Sequence, residues 1–226
     1  MSKFKLEEGT VEILKNFAEI NQNIIIERQT ATMAPSEEMF AVAEFDEIPE
    51  GVEIPLYNLL EVVTLHGIMH DPVFIPDEKL MVIQDEQSKT ECEYYYTFKD
   101  FLNVPKRKTV NMPDSEVQIT IPQQYLQSAL KTARIINAPD FAICGDGKEV
   151  FIKLTDITNE TANTFRMSPL AETDANFEFH IKTNRIKVIP ADYDVELSSK
   201  GLTKWENESL RLTYWIAIDK SSVWNG

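Results

Sequence analysis

The sequence predicts an α+β protein of two similar domains, each with two helices packed on antiparallel strands. Segments that alternate apolar and polar residues, as half-buried strands do, recur along the 226 residues. The order strand, helix, strands, helix, strands occurs twice. A shift of 116 residues also aligns Leu14-Lys15 with Leu130-Lys131, and Ile20-Asn21 with Ile136-Asn137. Since the element order and the residues agree, we interpret the chain as an internal duplication.

A linker separates the two halves. The stretch from Asn103 to Ser115 contains two prolines and three consecutive cations, Lys106, Arg107 and Lys108, and it lacks apolar periodicity. The predicted organisation is therefore an N-terminal domain over residues 1–104, a connector over 105–116 and a C-terminal domain over 117–226.

In the first half, a short strand at Lys3 to Leu6 should precede a helix that starts at Gly9-Thr10 and buries Val11, Leu14, Phe17 and Ile20. A second helix is expected from Leu56 to His66, with Gly67 as its end. The predicted strands are Asn23–Glu27, Met39–Phe45, Val73–Ile75, Leu80–Gln84 and Cys92–Phe98.

In the second half, a helix is predicted from Pro122 to Asn137 and a short one from Thr183 to Val188, ended by Pro190. Asp146-Gly147 predicts a type I′ hairpin turn. The predicted strands are Val117–Ile121, Phe141–Cys144, Glu149–Leu154, Phe177–Ile181, Asp194–Leu197, Leu202–Trp205 and Leu210–Ile218.

The helix from 122 to 137 has two unlike faces. Its apolar stripe consists of Leu126, Ala129, Leu130, Ala133 and Ile136. Its polar face consists of Gln123, Gln127, Lys131 and Arg134. That face has no acidic residue, although the chain holds 37 acidic and 22 basic residues.

Charge is distributed unevenly. The net charge of −15 alone argues against a nucleic-acid partner, but residues 1–104 account for −14 and residues 105–226 for only −1. In the second half, Lys131 and Arg134 lie on the first helix, and Lys182, Arg185 and Lys187 lie on or beside the second. If these helices pack side by side, five cations share one surface, which suits weak binding to a phosphate backbone without sequence preference.

The titratable residues form no recognisable catalytic or metal-binding motif. His66 and His70 stand four residues apart, as metal ligands on a helix do, but a glycine between them is expected to break that helix. His180 is interpreted as a packed or solvent-facing strand residue, and Asp192 and Asp194 as loop residues. No nucleophile can be paired with a base, so the sequence predicts neither an enzyme nor a cofactor or metal.

No secretion signal or apolar run of membrane-spanning length is recognisable. Cys92 and Cys144 occur singly in strand-like segments and are predicted to be reduced thiols. We therefore expect a cytoplasmic protein without a membrane partner.

Three segments, in order along nearly the whole chain, carry a family resemblance. They are Leu14 to Asn21, Tyr125 to Arg134, and the pattern Lys187-x-x-Pro190-x-x-Tyr193. As a set they resemble the sliding clamps, the ring-shaped processivity factors of DNA polymerases, and in particular those of large tailed bacteriophages.

The resemblance implies the DNA clamp fold and a homotrimer of two-domain subunits that closes around duplex DNA, with helices lining the hole. It implies as partners a replicative DNA polymerase and a clamp loader, which would supply the ATP chemistry, in the cytoplasm of the host cell. The pore positions it implies are Lys131, Arg134, Lys187 and Lys15; the charge argument adds Lys182 and Arg185.

The first half departs from this pattern. Glu12 and Glu19 accompany Lys15, and the second helix of this half has no Lys or Arg. Whether both domains contact phosphate equally therefore stays open.

The resemblance further implies an apolar pocket near the connector and the C-terminus that binds peptide tails of the polymerase and loader. In this sequence its residues would be Val104, Pro105, Met112, Pro113, Val223 and Trp224. A frayed chain end is the alternative interpretation of Trp224.

Two other functions stay open at this stage. A duplicated, β-rich structural protein of a virion or another assembly would tolerate charge reversal at Lys131 and Arg134. A small-molecule enzyme would have a deep pocket with strongly perturbed carboxylates.

Overall fold

The computed structural model describes residues 3–85 and 87–226. The chain divides into two compact units. Unit 1 comprises Met1–Thr109 with Leu210–Leu212, and unit 2 comprises Val110–Ser209 with Thr213–Gly226. Among the described residues, no helix is both long enough and apolar enough to cross a membrane.

The described residues of unit 1 form two α-helices, α1 at Glu8–Ile20 and α2 at Leu59–Ile68, and one turn of 3-10 helix at Lys99–Phe101. The predicted apolar face of α1 is buried, but Gly9-Thr10 lies inside the helix, and Glu7 occupies the N-cap. The prediction that Gly67 ends the second helix is wrong. Glycine ends a helix when it adopts positive φ, and Gly67 does not; α2 instead ends where Met69 takes an extended conformation.

The strands of unit 1 are β1 Ile24–Ile26, β2 Gln29–Met33, β3 Met39–Glu44, β4 Ile54–Leu56, β5 Pro72–Pro76, β6 Leu80–Asp85 and β7 Thr90–Tyr95. Antiparallel pairing joins β1 with β4, β2 with β3, and β5, β6 and β7 in that order. Of the predicted N-terminal strand, only an isolated bridge between Phe4 and Phe74 forms. Strands β2 and β4 are not predicted by the sequence pattern.

Unit 2 contains one α-helix, α3 at Gln123–Ile136. Its strands are β8 Val117–Ile121, β9 Asp140–Asp146, β10 Glu149–Thr155, β11 Phe165–Arg166, β12 Ala171–Glu172, β13 Asn176–Lys182, β14 Tyr193–Ser198, β15 Leu202–Asn207, β16 Leu212–Ala217 and β17 Val223–Trp224. One sheet has the order β11-β10-β9-β13-β17, with β12 also paired to β10. A second row of strands has the order β16-β15-β14-β8. Fully buried aromatic side chains, among them Trp205, Tyr193 and Tyr214, fill the core of this unit.

The short helix predicted for Thr183 to Val188 is only one turn of 3-10 helix, Thr183–Arg185. Thr183 donates its backbone N–H to the carbonyl of Pro139 and its hydroxyl to the carbonyl of Ala138. These tertiary hydrogen bonds hold a segment of six residues that is too short to form a stable helix alone.

The hairpin between β9 and β10 forms at the predicted place, but its turn is not of type I′. Of the two loop residues, Gly147 has a φ of 78° and Lys148 has negative φ. Positive φ at the first central position alone is the type II′ pattern, for which glycine is preferred.

Candidate nucleic-acid interface

Helix α3 is the element best suited to contact nucleic acid, and its sequence explains where the helix starts and ends. It starts after Pro122, whose φ of −65° suits a helix entry, and ends at Asn137 in the left-handed conformation. The carboxylate of Asp192 accepts the backbone N–H of Gln123 at 2.7 Å. Asp192, interpreted from sequence as a loop residue, therefore stabilises the positive end of this helix.

The two faces of α3 match the predicted periodicity. Leu126, Ala129 and Ala133 are buried, and Leu130 and Ile136 are half-buried. The four residues of the predicted polar face, Gln123, Gln127, Lys131 and Arg134, are all exposed. This face therefore presents two cations and two amides, which are all hydrogen-bond donors.

The cations of α3 are not neutralised by neighbours. Within residues 3–85 and 87–226, neither Lys131 nor Arg134 forms an ion pair. In a chain with a net charge of −15, such a surface attracts a polyanion.

Lys182 and Arg185 differ from the α3 cations because carboxylates lie beside them. Lys182, at the end of β13, forms an ion pair with the fully buried Asp140. Hydrogen bonds from Ser221 lower the pKa of Asp219, and the charges of Lys182 and Arg185 lower it further. Both cations thus compensate charges within unit 2. Lys187 lies just beyond the 3-10 turn and is exposed.

Lys15 is exposed on α1, where its ammonium pairs with the Glu12 carboxylate at 2.9 Å. It also lies close to His66 on α2. Burial lowers the pKa of His66, and the charge of Lys15 lowers it further. The proximity of Lys15 to His66 carries no signal in the sequence, because it depends on how α1 packs on α2.

The residues predicted for a peptide pocket fall in both units. Val104 and Pro105 belong to unit 1 and Met112 and Pro113 to unit 2, and each is half-buried.

The C-terminal strand shows that the frayed-end interpretation of Trp224 is wrong. Strand β17 pairs with β13 through Trp224 and Phe177 and through Val223 and Glu178. The Trp224 ring lies 5.7 Å from the ring of Phe177 and 6.2 Å from that of Phe179.

Val223 lines an open cleft of about 510 Å³ in unit 2, together with Ile157, Phe177, Glu178 and His180. His180 is 4% exposed, and its Nε2 lies 3.0 Å from Glu178. Burial lowers the pKa of His180, whereas the Glu178 charge opposes that effect. The lining of the cleft therefore combines apolar side chains, such as Val223 and Ile157, with polar ones, such as Glu178 and His180. Sequence periodicity could not predict this cleft, since its walls come from four separate segments.

Comparison with known proteins agrees with this architecture. No family model matches the chain. A sliding clamp of Vibrio phage KVP40 is 26% identical over 224 residues, covering 95% of this chain and 99% of that protein. A sliding clamp of Escherichia phage RB69 is 26% identical over 231 residues, covering 97% and 98%. The chain is thus similar to phage sliding clamps over nearly its whole length.

Solved clamp structures confirm the fold class. The proliferating cell nuclear antigen (PCNA) of A. fulgidus, solved with the C-terminal region of FEN-1, superposes with a TM-score of 0.74 at 11% identity, covering 99% of this chain and 100% of that chain. PCNA of Thermococcus kodakaraensis gives 0.71 at 10% identity, covering 96% and 99%. The DNA polymerase III β subunit of Borrelia burgdorferi gives 0.71 at 9% identity; this chain spans 63% of its length. The expected DNA clamp fold is therefore present, with one α-helix rather than two in unit 2.

Proposed function

We propose that this chain encircles duplex DNA and tethers a replicative DNA polymerase to it, without catalysing a reaction itself. The clamp fold and the two phage relatives named as sliding clamps support this proposal. The observation that carries it is the exposed face of α3, where Lys131 and Arg134 form no ion pair within residues 3–85 and 87–226, in an otherwise acidic chain.

The α3 face is suited to weak, mobile contact with phosphates. Each cation it contributes displaces counterions from the duplex, so binding weakens steeply as salt rises. Two cations per chain are too few for tight binding by one surface. A closed ring does not need tight binding, because topology retains the duplex while the contacts exchange.

A ring requires several copies, and we propose three. We propose that two of the sheet edges pair between copies: β7 ends one sheet of unit 1, and β11 ends a sheet of unit 2. Exposed aromatic residues accompany both edges, Tyr95, Phe98 and Phe101 near β7, and Phe165 in β11. If the β7 edge of one copy pairs with the β11 edge of the next, the head-to-tail contact can close by rotation and both unpaired edges are covered.

Polymerase and clamp loader would dock through peptide tails. We propose the cleft beside Val223 as one binding position, because a lining of apolar side chains with a few polar groups is typical of ligand sites. Val104, Pro105, Met112 and Pro113 stay sequence-based predictions for peptide binding.

The experiment uses short duplexes that a ring can thread from an end. A fluorescent duplex with open ends is compared with the same duplex blocked at both ends by biotin and streptavidin. We expect the anisotropy of the open duplex to rise with protein concentration, and that of the blocked duplex to stay low. Equal binding to both duplexes, or to neither, would reject topological linkage.

Charge reversal then tests whether the exposed face of α3 contacts the duplex. Lys131→Glu with Arg134→Glu should abolish threaded binding. Lys148→Glu is the matched control, because Lys148 is an exposed lysine of the same unit at the β9–β10 hairpin tip. If the double variant binds the open duplex as well as the control does, the α3 face is not the surface that contacts the duplex.

A further inference from the structure

The duplicated helix offers an internal comparison of charge. Lys15 of α1 and Lys131 of α3 occupy equivalent positions in the 116-residue shift, and both are exposed. The other exposed positions along the same row of α1 are Glu8, Glu12 and Glu19. Their equivalents in α3 are Gln124, Ser128 and Ile135, which are also exposed. The spacing i, i+4, i+7 and i+11 places each set of four on one helix face.

The two copies therefore differ in charge around a shared lysine. The row on α1 carries three carboxylates and one ammonium, whereas the row on α3 carries only the ammonium. Ala18, the equivalent of Arg134, is 8% exposed and adds no charge. Lys15 is also paired with Glu12, so a phosphate approaching it meets a neutralised cation flanked by further acids.

Helix α2 does not compensate for this difference. It contains no Lys or Arg, and its exposed residues include Leu60, Thr64, Ile68 and Glu61. His66, which packs near Lys15, has a lowered pKa and is neutral at neutral pH. Among the described residues, the two helices of unit 1 thus offer a phosphate only Lys15.

We infer that duplex DNA contacts the α3 copy of the repeated helix and not the α1 copy, whose glutamates hold the duplex away. This inference rests on the proposed function, since it assumes that both helices face the DNA. Every subunit would then supply one binding helix and one repelling helix. The ring would then bind fewer phosphates than it would if both domains of each subunit contacted DNA. Fewer phosphate contacts favour rapid sliding along the duplex.

The test exploits the equivalence of the two lysines. Lys131→Gln and Lys15→Gln are compared in binding to the open-ended duplex over a range of KCl concentrations. The slope of log K against log salt falls by about 0.9 for each phosphate that the protein no longer neutralises. We expect a smaller slope for Lys131→Gln and an unchanged slope for Lys15→Gln.

A third variant tests the repulsion directly. Glu12→Gln with Glu19→Gln frees Lys15 from its partner and removes two negative charges, so we expect tighter binding and a steeper salt dependence. All three variants change exposed positions, and thermal melting monitored by circular dichroism verifies that each variant is folded.

The outcomes separate the two proposals. If the unchanged chain fails to bind the open duplex, the proposed function fails. If it binds, and both lysine variants reduce the slope equally or the double Glu variant binds no more tightly, then α1 contacts DNA as α3 does and the inference is overturned.

Discussion

At the scale of single residues, Gly145 in β9 shows how closely unit 2 is packed. A Cβ at this position would lie 2.3 Å from Cε1 of Phe177 and 2.9 Å from the Ala175 carbonyl oxygen. Gly145→Ala should therefore lower the free energy of unfolding by about 1–3 kcal/mol, as overpacking does. Chemical denaturation measures the change.

Gly67, where a side chain has room, is the control for the crowded position of Gly145. It lies inside α2 with negative φ, and a Cβ there would meet no atom within 4 Å. Gly67→Ala should raise the free energy of unfolding by roughly 0.5–1 kcal/mol, because alanine loses less backbone entropy in a helix. Similar destabilisation of both variants would contradict the packing argument.

Lys182 yields a second residue-scale prediction. Its ion pair with Asp140 keeps a fully buried carboxylate compensated, and Asp140 also accepts the backbone N–H of Ile157 at 3.1 Å. Removing one partner of a buried pair costs about 3–5 kcal/mol; Lys182 is partly exposed, so we expect about 2–3 kcal/mol for Lys182→Met. Lys131→Met, on the exposed face of α3, should change the free energy of unfolding by less than about 0.5 kcal/mol. Equal stability of the two variants would mean that the Asp140 pair is not structural.

At the scale of elements, the contact between α1 and α2 can be followed by the titration of His66. The ordinary pKa of 6.5 is lowered by burial and then by Lys15. Lys15→Gln should raise the pKa of His66 but leave it below 6.5, because burial persists; an NMR titration measures it. Lys131→Gln should leave it unchanged.

The sign of the pH effect on stability follows from the same shift. The unfolded chain binds a proton at His66 more readily than the folded chain does, so the His66 contribution to stability is complete above 6.5 and is lost as pH falls. Lys15→Gln should reduce that decline. A pKa of His66 that is indifferent to Lys15→Gln would show that α1 and α2 pack differently.

Elements were predictable where their signals are local. The bounds of α3 were predicted within one residue at each end, since apolar periodicity and end residues lie within the segment itself. The 3-10 turn at Thr183–Arg185 was not, because hydrogen bonds to Ala138 and Pro139 decide its conformation. Strands β11, β12 and β17 have two residues each, too few for a period, and form only because a longer strand lies beside them.

The candidate site was likewise predictable where its signals are local, and not where it depends on contacts between distant parts of the sequence. The exposure of Lys131 and Arg134 follows from helical periodicity, so the sequence was sufficient to predict it. The pairing of Lys182 with Asp140 spans 42 residues of sequence and depends on the alignment of β9 with β13. The charge pattern therefore predicted that Lys182 shares a surface with the α3 cations. In the structure, Lys182 instead neutralises the buried carboxylate of Asp140.

At the scale of the whole molecule, we predict the mass of the native assembly from the proposed contact at the β7 edge. Phe98 and Phe101 are 78% and 72% exposed, and their rings lie 6.2 Å apart. Large apolar side chains with this exposure are typical of interfaces. We expect native mass spectrometry of the unchanged chain to give three copies, and Phe98→Ser with Phe101→Ser to give mostly single chains.

The control for assembly is Ile68→Ser, which removes an equally exposed apolar residue, 77%, from α2. If the β7 edge forms the interface, the Ile68→Ser variant stays assembled and threads open-ended duplexes. The double Phe variant does neither, although its free energy of unfolding is nearly unchanged. Exposed side chains contribute little to the stability of a single chain, so the dissociation cannot be ascribed to unfolding. A double variant that remains trimeric would place the contact between copies at another edge.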